Sequence, residues 1–64
     1  MNFRIRIYYK NRIEREYFYD DIDKANNAFY LFHYYKQPYE KYNKIILCEF
    51  YKGKWEKLGE TKVY

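Results

Sequence analysis

Residues 3–9, FRIRIYY, alternate without a break. Phe3, Ile5, Ile7 and Tyr9 fall on one side, and Arg4, Arg6 and Tyr8 on the other. Period two in β-branched and aromatic residues marks a strand with one buried face. Such a strand needs partners and a second layer to cover its apolar side, and the rest of the chain must supply them. With 64 residues the chain is one small domain, residues 1–64. A domain of this size buries only about 60% of the surface that its unfolded chain exposes. Large rings help to make up the shortfall, because each can bury roughly 150–250 Å². Aromatics form 27% of the chain, with eleven Tyr against five Phe and one Trp. Tyr carries a hydroxyl that needs water or a partner, so it suits the margin of a core or a contact surface.

The segment Lys10–Asn11–Arg12 reads as a loop, and IEREYFYD after it as a return strand. A three-residue loop places Tyr9 opposite Ile13, Ile7 opposite Arg15, Ile5 opposite Tyr17 and Phe3 opposite Tyr19. The other face then sets Arg6 against Glu16 and Tyr8 against Glu14. A two-residue loop would set Ile7 against Glu16, and a one-residue slip turns every side chain to the wrong face. Arg15 is the misfit on the apolar side and belongs near a sheet edge.

DDIDKANNAFYLFHYYKQP reads as a helix. Asp20 or Asp21 can cap its first N–H groups, the early Asp residues suit the helix dipole, and Pro38 marks a stop. At 100° per residue Ile22, Ala25, Ala28, Phe29 and Phe32 form the core stripe, with Tyr35 beside it. Asp23, Asn27, Tyr30 and Tyr34 lie opposite. After the loop QPYEKYN come the strand KIILCEFYK, a turn around Gly53 and a last strand, WEKLGETKVY. Both faces of IILCEF are apolar, which suits a central strand. If Tyr51 opposes Trp55, Cys48 faces Leu58, and Gly59 marks a bulge or bend. The expected fold class is α+β: a two-layer β-β-α-β-β unit, its mostly antiparallel four-stranded sheet carrying one helix on one face. If the second and third strands are parallel neighbours, the helix crosses between them.

Catalytic sets are scarce. His33 and Cys48 are single residues on different elements, Ser is absent, and Gly53 and Gly59 alone cannot build a phosphate loop. Asp20, Asp21 and Asp23 could ligate a hard cation, but helix capping accounts for them more simply. One Cys leaves no internal disulfide, and Cys48 reads as a small buried hydrophobe. The reading is therefore a non-enzyme with no cofactor and no metal site. The N-terminus has no apolar leader, and no apolar run nears the ~20 residues that span a bilayer, so a cytoplasmic protein without membrane contact is expected.

Partners remain. The net charge of +4 permits an anionic partner, although 13 basic and 9 acidic residues are mixed along the chain. Tyr, Trp and Arg favour interface centres. The expected protein-contact residues are Tyr30, Tyr34, Tyr39 and Tyr42, with Lys36 and Lys41 steering approach. The alternative is a small basic nucleic-acid-binding protein in which HYYKQPYEKYNK stacks bases on Tyr and holds phosphates with Lys36, Lys41 and Lys44. A monomer or a weak homodimer is expected, since the charges of the last strand blunt its edge.

Phe, Ile, Lys, Asn and Tyr, whose codons are rich in A and T, make up more than half of the chain. In length, composition and hairpin–helix–hairpin order the chain resembles small phage or mobile-element accessory proteins. The resemblance implies a protein that binds and inhibits a host protein in the host cytoplasm, for example a defence nuclease or a transcription component. It assigns no functional residue.

Overall fold

The computed structural model describes residues 2–63. Four strands and one helix follow in the order β1 (Phe3–Tyr9), β2 (Arg12–Tyr19), α1 (Ile22–Tyr34), β3 (Lys44–Tyr51) and β4 (Lys54–Lys62). They form a single antiparallel sheet of order β2-β1-β3-β4 with the helix on one face. This is the expected α+β architecture, and the two hairpins join into one sheet through β1 and β3. The condition for a helical crossover between parallel strands is not met. β2 and β3 are not neighbours, because β1 lies between them and pairs antiparallel with both. The charges of β2 explain its place. Glu14, Arg15 and Glu16 suit an edge strand, whereas β3 is apolar on both faces and needs neighbours on both sides.

The first hairpin keeps the expected pairs Phe3–Tyr19, Ile5–Tyr17, Arg6–Glu16 and Ile7–Arg15, then departs at its tip. Tyr8 faces Ile13 and Tyr9 faces Arg12, which leaves Glu14 as an extra residue in a bulge. The loop is therefore two residues, Lys10 and Asn11, with φ of 51° and 64°. Positive φ at both positions gives the mirror-image turn that matches strand twist. The bulge restores the faces that a two-residue loop would otherwise have exchanged.

The second hairpin uses the same device, and its register differs from expectation. Lys52 and Gly53 form a two-residue turn with φ of 51° and 82°, so Tyr51 faces Lys54 and Phe50 faces Trp55. Cys48 faces Lys57 rather than Leu58. Leu58 is the bulged residue, and Gly59 beside it pairs with Leu47. Gly59 also lies beneath Phe29 of the helix; a Cβ there would stand 3.8 Å from the ring edge.

The helix is shorter than its sequence pattern. Asp21 caps it by accepting the Asp23 N–H at 2.7 Å. It ends at Tyr34, where the Tyr35 N–H donates to the Leu31 carbonyl, and the last turn before Pro38 is not helical. The core lies between this helix and the sheet. Ile5, Ile7 and Ile45 are fully buried with Ala25, and Leu47, Tyr42 and Val63 close the cluster. Burial of each Ile contributes about 1.5–3 kcal/mol. Phe3, Tyr17, Tyr19, Ala28, Phe29 and Phe32 pack around its rim.

Candidate functional site

Two exposed rings form a ridge on the helix face turned away from the sheet. Tyr30 and Tyr34, one turn apart, hold their ring centroids 4.3 Å from each other. Leu31 is exposed too, and Tyr35, expected beside the core stripe, is the residue that caps the helix and is exposed as well. The rings of His33 and Tyr34 are perpendicular with centroids 4.4 Å apart, while the His33 Nδ1 lies 3.1 Å from the Thr61 hydroxyl on β4. His33 thus ties this end of the helix to the sheet. Cys48 is buried on the sheet's far face, so the two residues cannot form a nucleophile–base pair.

The other expected contact residues separate from this ridge. Tyr39 is 78% exposed. Together with Lys41, Glu40, Tyr9 and Arg15 it lines a cleft of about 320 Å³ between the first hairpin and the 39–42 loop. Among the described residues no ring contact joins Tyr39 to the Tyr30–Tyr34 pair. Tyr42 requires a correction: it is 4% exposed and belongs to the core. Its backbone neighbour Asn43 donates to the Tyr8 carbonyl and draws the loop onto the sheet end. Its hydroxyl donates to the Phe32 carbonyl at 2.7 Å, and its ring meets Phe32 edge-on. Burial first, then the nearby Glu40 carboxylate, push the Tyr42 hydroxyl up to about 12. Lys36 is half-buried, with its ammonium 5.7 Å from the Tyr42 ring centroid.

Arg15 explains how the loop is held. Its guanidinium lies 5.5–6.0 Å from the ring centroids of Tyr42, Phe32 and Tyr17, and 3.6 Å from Glu40. The misfit on the apolar face of an edge strand is thereby covered by rings on one side and by the loop carboxylate on the other.

A second aromatic group, absent from the sequence-based expectation, lies on the sheet face opposite the helix. Trp55 from β4 meets Phe50 at 5.2 Å and Phe18 of β2 at 6.1 Å. The Arg4 guanidinium stacks on Trp55 at 4.4 Å. Side chains from both edge strands therefore converge over the central two. The missed signal was the turn: reading Lys52–Gly53 as a two-residue loop brings Phe50 and Trp55 into register.

Among the described residues no group of three or more His, Cys, Asp or Glu side chains is placed to hold a metal ion, and no helix is long and apolar enough to cross a membrane. No protein-family model matches the chain, and neither a curated protein nor a solved structure matches it.

Proposed function

We propose that this chain is a non-enzymatic protein-binding module whose contact surface is the outer ridge of α1. The observation that carries the reading is the stacked, exposed pair Tyr30 and Tyr34 on the helix, with Leu31 and the capping Tyr35 exposed near its end. A helix that lays such a face into an apolar groove is a common mode of protein recognition. Stacking of Tyr30 on Tyr34 holds both rings in place before binding, which lowers the ordering cost of association. Large apolar patches on small monomers mark contact sites. The partner is a protein with an apolar groove edged by acceptors for the Tyr hydroxyls. The phage-like composition makes a host protein the first partner to seek, with inhibition by occupation of its surface as the mode of action.

The alternative in which the 33–44 stretch stacks bases has less in its favour. Tyr42 lies in the core and Lys36 lies against it. The test is capture from a nuclease-treated bacterial lysate with the wild-type chain and with the double variant Tyr30→Ala, Tyr34→Ala. The expected result is a discrete protein retained by the wild type and lost by a variant whose circular dichroism is unchanged. Equal retention by both chains would overturn the reading.

A further inference from the structure

We infer that the sheet face opposite the helix is a second binding surface, and that its occupant is single-stranded nucleic acid. The central observation is Arg4. It is only 9% exposed, its Nε has no hydrogen-bond partner, and among the described residues no carboxylate pairs with it. A buried guanidinium without an anion favours a partner that brings one close, because burial of unpaired charge is costly. The Arg4 guanidinium carbon lies 4.4 Å from the centre of the Trp55 ring, a cation–π contact that holds the group beside the ring.

The surroundings supply the rest of the site. Register places Arg4, Arg6, Lys44, Lys57 and Lys62 on this face against Glu16 and Glu60 alone among the described charged residues of the paired positions. Arg6 is paired with Glu16, and Lys57 with Glu60. Arg4, Lys44 and Lys62 form no ion pair among the described residues, although Lys44 lies 4.7 Å from the Tyr8 ring centroid and, after Lys57, both lysines help to hold the Glu60 carboxyl low. Phe18 and Phe50 are each about two-fifths exposed beside Trp55, so π-faces stand next to cations. Rings interleaved with basic side chains are what flexible single strands need, since every base can stack and every phosphate seeks a cation. A second copy packed face to face would set like charges against each other, so the charge pattern opposes self-association through this surface. The surface is separate from the helix ridge, and the two readings stand or fall independently.

Trp55 is the one Trp in the chain, so its fluorescence reports on the site. The experiment titrates the full chain with an eight-nucleotide oligothymidylate at 50 and 200 mM salt. The expected result is saturable quenching of Trp55, with affinity about twenty-fold weaker at the higher salt, as about three phosphate contacts imply. Phe50→Ala should weaken binding about five-fold or more. It removes a part-exposed ring outside the helix-side core, so folding, checked by circular dichroism, should survive. Arg4→Lys, which keeps the charge but loses the planar fork, should also weaken binding. Tyr30→Ala with Tyr34→Ala should leave it unchanged. Absence of quenching would overturn the inference, as would unchanged affinity in Phe50→Ala. Quenching by an eight-residue Glu-rich peptide in place of the oligonucleotide would also overturn it and assign the face to an acidic protein segment.

Discussion

Removing the hydroxyl of Tyr42 while keeping its ring tests how the helix end is held. In Tyr42→Phe the edge-on contact with Phe32 remains, and only the 2.7 Å bond to the Phe32 carbonyl is lost. That carbonyl is among the last four of α1, which have no partner within a helix. Loss of the bond should cost about 1 kcal/mol at pH 7. The pH dependence follows from the same group. Its folded pKa, about 12, lies above the value of roughly 10 for an unfolded Tyr. The unfolded chain therefore gives up the proton first. The contribution of Tyr42 is complete below pH 10 and fades as pH rises toward 12. At pH 11 the unfolded state has gained about 1.4 kcal/mol from this ionisation, and the folded state almost nothing. The advantage of the wild type over Tyr42→Phe should thus vanish near pH 11 and reverse above it. Urea unfolding of both proteins at pH 7, 10 and 11 measures the difference. An unchanged difference between pH 7 and pH 11 would refute the burial of this hydroxyl.

Two further perturbations probe local structure. Asp21→Ala removes the side-chain acceptor of the Asp23 N–H and should lower stability by about 1 kcal/mol, read from the denaturation midpoint. Lys52→Asn puts a residue that tolerates positive φ ahead of Gly53, where Lys52 now holds φ of 51°; a gain of about 0.5 kcal/mol in the same assay is expected, and a loss would contradict the turn geometry.

The fold was legible because its strongest signals are local. Alternation in FRIRIYY, the Asp-led start of the helix, the turn residues and the apolar run IILCEF each name an element, and antiparallel hairpins follow from proximity. The central place of β3 and the edge position of Arg15 also follow from apolar and charged pattern. Strand order was less legible, since pairing of β1 with β3 is a long-range choice that no short window encodes. The bulges at Glu14 and Leu58 were hidden for a related reason: a two-residue turn with a bulge and a three-residue turn give the same inner pairs.

The candidate contact residues divided along similar lines. Helical periodicity sufficed to place Tyr30 and Tyr34 outward. Tyr39 and Tyr42 sit three residues apart in a loop without periodicity, and they part company because Asn43 is tied into the sheet while Tyr39 is not. The sheet-face cluster is not legible in the sequence because Phe18, Phe50, Trp55 and Arg4 come from all four strands and meet only in the folded registers.

The central claim is that an apolar helix ridge, not charge, holds the protein partner. The most direct test is calorimetric titration of the captured partner with the wild-type chain at 50 and 500 mM salt and at two temperatures. The account predicts an affinity nearly independent of salt and a negative heat-capacity change, both lost with Tyr30→Ala, Tyr34→Ala. An affinity that collapses in salt while the double variant still binds would contradict it.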